Sequence, residues 1–372
     1  MHQITRIEIN LVNVAHNLRA IRGRIGKGIK ILAVVKADAY GHGSIEISRT
    51  LVKNGVDMLG VAFPEEAIVL RENGINIPIL LLNPILPEQI DYIYKHSLEI
   101  TICNLKTARE LSKTARRNHH NIKAHIEVDT GMGGVGTHPD KTFSFIKDLL
   151  LIENLTIEGI FTHFHSSEEQ DKTHTHKQNR TFKAILKQLE QEGIYIPLIH
   201  AANSAAILDM PDTYFNMVRP GLILYGIFPS DYVSKNVDIK PAMAFKTRII
   251  NIKRLDPGNT VGYGRSFQIS KHTNAATIPV GYKDGFSRYL SNSGKVLVNG
   301  KFVPVIGRVC MDRCFIDVTN VSDVNVGSEV VILGSQKDKT ISIESAAELI
   351  DTIPYEVVCS LGRKVPKIYI GA

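Results

Sequence analysis

The chain has 372 residues, of which 44% are hydrophobic and 22% are charged, and its formal net charge at pH 7 is +7. Chains longer than roughly 250–300 residues tend to divide into domains, so we expect two hydrophobic cores. The composition excludes a largely disordered, collagen-like or coiled-coil protein.

The sequence gives no indication of export, membrane insertion or nucleic-acid binding. No basic stretch followed by an apolar segment opens the chain, and no run of about 18 uncharged apolar residues occurs. Lys and Arg are scattered, and no basic run carries interleaved aromatic residues. Four cysteines suit a reducing compartment, and the loose Cys310–Cys314 spacing without a second pair does not favour zinc. We therefore expect a cytoplasmic protein with no metal site.

Between residues 29 and 225, short apolar runs alternate with stretches of helical periodicity. The runs predict eight strands at Ile29–Val35, Met58–Val61, Pro78–Leu82, Leu98–Ile102, Lys123–Val128, Ile157–Thr162, Ile196–Ile199 and Phe215–Val218. The predicted helices between them are Gly43–Asn54, Glu65–Asn73, Pro87–Lys95, Leu105–Arg117, Pro139–Leu150, Asp171–Glu192 and a short one from Asn203. Eight such units predict a parallel barrel. A doubly wound open sheet would need a glycine-rich phosphate turn after its first strand, where the sequence is KADAYGHGS.

The pattern changes after Pro229. From Ala244 onward, alternating strands are broken by turn signals such as Asn299-Gly300, and one helix is predicted near Ser342–Ile350. Residues 230–241 are the predicted connection. We therefore expect an α/β fold with an N-terminal (β/α)8 TIM-like barrel over residues 1–235 and a C-terminal mainly-β domain over residues 236–372.

Reactive side chains of such barrels lie at the C-terminal ends of the strands, and the predicted ends are polar here. Lys36 follows an apolar strand, where its amine can act as a base or form an imine, although a lysine that merely caps a strand explains it too. Asn203-Ser204 and Gly221 stand where barrels often bind phosphate, although an ordinary helix cap and turn glycine are equal alternatives. A lysine beside a phosphate site suggests pyridoxal phosphate.

His163 and His165 lie two residues apart on a predicted strand, so both side chains can face the same way. They resemble the His-x-His metal pair of barrel hydrolases. That pair belongs on the first strand, with further ligands on later strands, whereas here it falls on the sixth. A metal site is therefore the less favoured interpretation.

The ten residues Val34–Gly43 resemble the cofactor-lysine signature of the alanine racemases. Further family motifs follow in the same order at Asp129–Gly133, Thr162–Phe164, His200–Ala206, Met217–Gly221, Val261–Gly264, Pro279–Gly285, Gly307–Asp312 and Tyr355-Glu356. The resemblance covers essentially the whole chain. It implies an isomerase that uses pyridoxal 5'-phosphate to interconvert L- and D-alanine. D-alanine is a precursor of peptidoglycan. It also implies a homodimer paired head to tail, in which the second domain of each chain contributes residues to the active site of the other.

The resemblance implies a role for each matched residue. Lys36 would hold the cofactor and take the α-proton from the D-enantiomer, and Tyr263 of the partner chain would act on the L-enantiomer. Arg219 would donate to the pyridine nitrogen, and His200 would orient Arg219. Further cofactor contacts are implied for Tyr40, His163, Asn203, Ser204, Gly221 and Tyr355, and substrate contacts for Tyr282 and Met311 of the partner chain.

Two positions depart from the family pattern. Where most members carry an arginine after Gly-Met-Gly, this chain has Gly134, and where a lysine commonly positions that arginine, it has Glu127. Because both positions have changed together, we expect a working racemase with a higher KM, an altered ionisation of Tyr263, or another substrate such as serine or lysine. Two alternatives are a decarboxylase of basic amino acids, against which Tyr263, Arg219 and Tyr282 argue, and a non-catalytic cofactor-binding protein.

Overall fold

The computed structural model describes residues 3–361 and 365–371. Within them, the strands are β1 Arg6–Asn10, β2 Lys30–Val34, β3 Met58–Val61, β4 Ile79–Leu81, β5 Glu99–Ile102, β6 Ile122–Glu127, β7 Leu155–Phe161, β8 Leu198–His200, β9 Met217–Val218, β10 Met243–Arg248, β11 Asn251–Leu255, β12 Thr260–Val261, β13 Phe267–Gln268, β14 Thr273–Ile278, β15 Lys295–Val298, β16 Lys301–Ile306, β17 Cys314–Asp317, β18 Glu329–Gln336, β19 Lys339–Ile341 and β20 Lys367–Ile370. The helices are α1 Leu11–Ile25, α2 Lys36–Tyr40, α3 Ser44–Lys53, α4 Pro64–Glu72, α5 Ile90–Lys95, α6 Leu105–Arg117, α7 Pro139–Leu150, α8 Thr173–Gln191, α9 Ser204–Asp209, α10 Ile343–Leu349 and α11 Pro354–Leu361. None of these helices is both long and apolar enough to cross a membrane.

Strands β2 to β9 close into a parallel barrel, and the pairing of Lys30 with Met217 joins the last strand to the first. Helices cover the outside, so the barrel strands are buried on both faces and their sequences are nearly continuous apolar runs. All four residues of Met58–Val61 are buried, for example. The predicted eight-stranded barrel is confirmed.

The second domain is a sheet with strand order β11-β14-β17-β16-β15-β18-β10-β1-β20, and β19 pairs with β18. The predicted Asn299-Gly300 turn joins β15 to β16, and both residues have positive φ, 51° and 80°. Two such residues are what a two-residue hairpin loop requires, because its backbone twist must match that of the strands. The prediction of a mainly-β C-terminal domain is confirmed.

The N-terminal segment corrects the predicted partition of the chain. Although residues 1–235 are predicted to form the barrel, β1 pairs antiparallel with β10 and parallel with β20 in the second sheet. Only Ile7 and Ile9 of β1 are buried, an alternation that suits a half-buried sheet and not a barrel strand. Helix α1 follows at once and buries Leu11, Val14, Leu18, Ile21 and Ile25 at helical spacing, so β1 and α1 link the two domains.

Candidate active site

The closed barrel brings the polar strand ends together at one mouth, because parallel strands end at the same edge. The side chains at this edge come from Lys36 after β2, Glu127 at the end of β6, His163 after β7, His200 at the end of β8 and Arg219 after β9. Burial, with Arg219 and Lys36 nearby, lowers the pKa of His163 to about 3, so its imidazole is neutral at pH 7. The mouth therefore combines an amine, a guanidinium and a neutral imidazole.

Lys36 leads into a left-handed turn. Ala37, Asp38, Ala39 and Tyr40 all have φ between 53° and 54°, a region that costs a side chain roughly 1–2 kcal/mol per residue. Tertiary contacts hold the turn: the Asp38 carboxylate accepts from the Ser44 N–H at 2.7 Å and pairs with Lys367 at 2.9 Å. Such strain persists only where the surroundings impose it, which is typical of functional sites.

Tyr40, at the end of this turn, lies beside a pocket of hydrogen-bonding groups. Its ring is 5.8 Å from that of Tyr355, and a Cβ built on Gly221 would lie 2.7 Å from its hydroxyl, so a side chain at Gly221 would displace Tyr40. The Gly221 N–H donates to the Ser204 hydroxyl at 3.0 Å. Burial raises the pKa of Tyr40 and raises that of Tyr355 to about 12, so both hydroxyls can donate at neutral pH. These donors fit a phosphate group.

Asn203 contributes to this pocket indirectly. Its Oδ1 accepts from the Ala206 N–H at 3.1 Å, which caps α9, and from the Ser167 hydroxyl at 2.8 Å. Its Nδ2 donates to the Phe164 carbonyl at 3.4 Å. The side chain is therefore engaged within the protein and positions Ser204, while the cofactor contact expected for Asn203 stays a prediction.

Arg219 is buried and held rigidly. Its Nη1 donates to His200 Nδ1 at 3.0 Å and to the His200 carbonyl at 2.9 Å, and its Nη2 donates to the Thr162 and Ala201 carbonyls at 2.8 and 3.1 Å. Among the described residues the Nε–H has no hydrogen-bond partner. Burial lowers the pKa of Arg219 to about 10, so the guanidinium is still charged at pH 7. A fixed cation with one spare donor fits the ring nitrogen of pyridoxal phosphate.

Glu127 is the unusual group at the mouth. The residue is 6% exposed, and its Oε2 has no hydrogen-bond partner in the part of the chain that the structure describes. Burial raises its pKa to about 7, against the lowering effect of Arg219. Because the pKa is raised in the folded state, Glu127 contributes stability that is complete below about pH 4.5 and is lost as the pH rises through about 7.

We therefore expect Glu127→Gln to remove a pH dependence of stability. Between pH 5 and pH 8 the free energy of unfolding of the wild type should fall relative to that of the variant by up to about 3 kcal/mol. Urea unfolding of both proteins at each pH measures this difference. The exposed Glu169→Gln serves as a control for the loss of one charge, and a wild-type-minus-variant difference that is the same at both pH values contradicts the prediction.

Three predicted site residues lie elsewhere on the chain. Tyr263, Tyr282 and Met311 are 72%, 44% and 57% exposed on the second domain. The Tyr282 N–H donates to the Cys310 carbonyl at 3.0 Å, which places Tyr282 beside the Met311 loop. Within residues 3–361 and 365–371, no hydrogen bond, ion pair or ring contact joins any of the three to Lys36. The chain thus carries a barrel mouth with Lys36 and Arg219 and, on its second domain, an exposed surface with Tyr263, Tyr282 and Met311.

Two family models match this chain. The alanine racemase N-terminal domain matches residues 9–229, and the alanine racemase C-terminal domain matches residues 242–369. The chain belongs to the alanine racemase family. The predicted domain boundary at residues 235/236 lies in the stretch between the two matches.

Relatives of the family agree along the whole length. Alanine racemase 2 of Caldanaerobacter subterraneus subsp. tengcongensis is 45% identical over 98% of this chain and 95% of its own. The solved alanine racemase of Clostridium difficile 630 is 38% identical, covers 100% of this chain and 96% of its own, and has a TM-score of 0.94. That of Bartonella henselae, solved with covalently bound pyridoxal phosphate, is 28% identical over 99% of this chain and 100% of its own, with a TM-score of 0.89.

Two polar residues inside barrel strands are not among the predicted site residues. Glu99 begins β5 and His125 lies within β6, and both are buried. Each of them interrupts an apolar run of the sequence, which is the signal that could have identified it. A polar residue in one strand does not, however, show which residue faces it across the barrel. Within the described residues no group of three or more His, Cys, Asp or Glu could hold a metal ion, so His163 and His165 form no such cluster.

Proposed function

We propose that this protein is an alanine racemase that interconverts L- and D-alanine with pyridoxal 5'-phosphate as cofactor. The observation that carries the proposal is the barrel mouth, where the strand ends bring together Lys36, the hydroxyl and N–H pocket at Tyr40 and the buried Arg219. Full-length relatives named alanine racemase support the substrate. The covalent cofactor in the Bartonella henselae structure supports the cofactor.

The reaction requires a proton donor and a proton acceptor on opposite faces of the α-carbon. Pyridoxal phosphate, when bound, withdraws electrons from the bonds at that carbon. The Lys36 amine takes the α-proton of D-alanine and returns a proton to that face in the opposite direction. The Tyr263 hydroxyl of the partner chain does the same for L-alanine, while Tyr282 and Met311 of the partner chain bound the substrate entrance.

Arg219 directs the outcome towards racemisation. With a pKa of about 10 it donates a hydrogen bond at neutral pH but keeps its proton, so it does not protonate the ring nitrogen. Arg219 would thereby leave the bound cofactor a weak electron sink, which would favour return of the proton to the α-carbon over transfer elsewhere. A decarboxylase usually places an acidic group at this position, and the buried guanidinium therefore favours the racemase.

The protein acts as a homodimer paired head to tail in this proposal. The exposed Tyr263, Tyr282 and Met311 of one chain complete the barrel mouth of the other, and the second domain, residues 236–372, supplies them. Activity per chain should therefore fall on dilution below the dimer dissociation constant. Its proposed role is cytoplasmic supply of D-alanine as a peptidoglycan precursor.

The test incubates purified protein with L-alanine, L-serine or L-lysine in deuterated water, with and without added pyridoxal phosphate. Chirality and α-deuterium incorporation are followed together. Rapid deuterium incorporation into alanine with racemisation supports the proposal. Racemisation confined to another amino acid contradicts alanine as substrate, and cofactor absorbance without exchange shows a non-catalytic binding protein.

A racemase of a larger amino acid is the second candidate, because Gly134 carries no side chain where most family members have an arginine. A Cβ at this residue would meet no atom within 4 Å, and its backbone lies outside the positive-φ region. An arginine can therefore be accommodated there without backbone strain. The missing cation leaves the substrate carboxylate with one charge-assisted contact fewer.

We expect Gly134→Arg, alone and with Glu127→Lys, to raise kcat/KM for alanine by about 10–100-fold, the effect of one charge-assisted hydrogen bond. Gly134→Gln is the matched control, because it fills the same space without a charge. Steady-state kinetics with alanine, serine and lysine measure the effect. Unchanged kcat/KM for every amino acid would show that the missing arginine has no bearing on substrate binding.

A further inference from the structure

A buried row of hydrogen bonds runs from Arg219 down through the barrel. Arg219 Nη1 lies 3.0 Å from His200 Nδ1, His200 Nε2 lies 3.0 Å from His125 Nδ1, and His125 Nε2 lies 3.0 Å from Glu99 Oε2. Both imidazoles are 0% exposed, Arg219 is 4% exposed and Glu99 is 6% exposed. Glu99 begins β5, so the row ends at the opposite end of the barrel from Lys36.

The arginine fixes the direction of every hydrogen bond in this row. A guanidinium only donates, so His200 Nδ1 must accept and the proton of His200 must be on Nε2. That N–H donates to His125 Nδ1, which places the His125 proton on Nε2. The His125 N–H then needs an acceptor, and Glu99 Oε2 is the atom that faces it. One proton arrangement satisfies the row, with both imidazoles neutral.

An acceptor at Glu99 is therefore a condition for the position of Arg219. Without it, the buried His125 Nε2–H loses its partner, and the proton is better placed on Nδ1. His200 Nε2 would then have to accept from the His125 Nδ1–H, and the proton of His200 would move to its Nδ1. The His200 Nδ1–H and the Arg219 Nη1–H would then be two donors facing each other. The disturbance reaches the guanidinium although Glu99 touches neither substrate nor cofactor.

We propose that Glu99 is a positioning residue for Arg219 that acts through His125 and His200, an inference that rests on the proposed function. Its carboxylate accepts the last hydrogen bond of the row and so stabilises the two histidine tautomers that let His200 accept from Arg219. Packing alone does not account for the row, since four polar side chains in a barrel core are unfavourable unless each is satisfied. The further contact of Glu99, with the half-exposed Lys123, is long at 3.9 Å.

The test compares Glu99→Leu, which removes the acceptor, with Glu99→Gln, whose carbonyl oxygen can still accept. Glu158→Leu is the matched control, because Glu158 pairs with the same Lys123 at 3.4 Å but lies outside the row. Nitrogen-15 spectra of histidine-labelled holoenzyme, assigned with His125→Asn and His200→Asn, report the tautomers. Alanine kinetics on the same samples separate kcat from KM.

We expect wild type to show both histidines protonated on Nε2. In Glu99→Leu at least one of the two histidine protons should move to Nδ1. The kcat of this variant should fall by about 10-fold or more, while its KM changes less than about 3-fold. Glu99→Gln should recover most of the lost kcat, and Glu158→Leu should match wild type. Nδ1 protonation in wild type, or Glu99→Leu with wild-type kcat, overturns the proposal. The wild-type spectrum decides it even if Glu99→Leu does not fold, and wild type without racemase activity refutes the proposed function instead.

Discussion

Replacement of Lys36 by alanine is expected to lower alanine racemisation by at least about 1,000-fold and to abolish covalent retention of pyridoxal phosphate. Lys36 supplies the amine at the end of β2, and it lies near enough to His163 to help lower the pKa of that imidazole to about 3. In the proposed mechanism the same nitrogen holds the cofactor and takes the α-proton of D-alanine, so both functions should be lost together.

Lys30→Ala is the matched control for this prediction. Lys30 begins the same strand, is exposed and lies at the other end of the barrel. Cofactor absorbance after dialysis and kcat/KM in both directions measure the effect. A Lys36→Ala protein that still holds cofactor covalently and retains a tenth of the activity contradicts the assignment.

Replacement of Tyr263 by phenylalanine is expected to lower racemisation by about 100-fold or more, the usual contribution of a general acid or base. The loss of α-proton exchange should affect L-alanine and spare D-alanine. Lys36 remains, so D-alanine should still exchange its α-proton with deuterated water without inversion. L-alanine should exchange at a rate reduced as much as racemisation, because the group that takes its proton is missing.

Tyr289→Phe controls for the loss of a hydroxyl, since Tyr289 is 81% exposed on the same domain. Mass spectrometry of the separated enantiomers measures exchange on each side, and circular dichroism measures inversion. Equal loss of exchange from D- and L-alanine in Tyr263→Phe would contradict the assignment of one group to each face.

The barrel could be predicted from the sequence because its strands are buried on both faces. Met58–Val61 was predicted to the residue, and Leu105–Arg117 and Pro139–Leu150 likewise. Strand β1 could not be predicted, because its partners lie far away along the chain: Arg6 pairs with Lys246, and Ile7 pairs with Lys367. No local pattern identifies such a pairing.

The site was predictable to the extent that it depends on strand ends. Lys36, His163 and Arg219 meet at the barrel mouth as expected. The left-handed turn after Lys36 was not predictable, because contacts such as that of Asp38 with Lys367 impose a conformation that these side chains do not favour by themselves. The burial of Glu127 likewise depends on the closed barrel.

Our proposal is that each active site is built from two chains, with Lys36 from one and Tyr263 from the other. It is tested most directly by mixing the inactive Lys36→Ala and Tyr263→Phe proteins under conditions that exchange subunits. Random pairing makes half of the dimers mixed, and each mixed dimer has one site with both substitutions and one intact site. One quarter of all sites are then intact, so we expect recovery of about a quarter of wild-type alanine racemisation. A mixture as inactive as its two components would show that Lys36 and Tyr263 act within one chain.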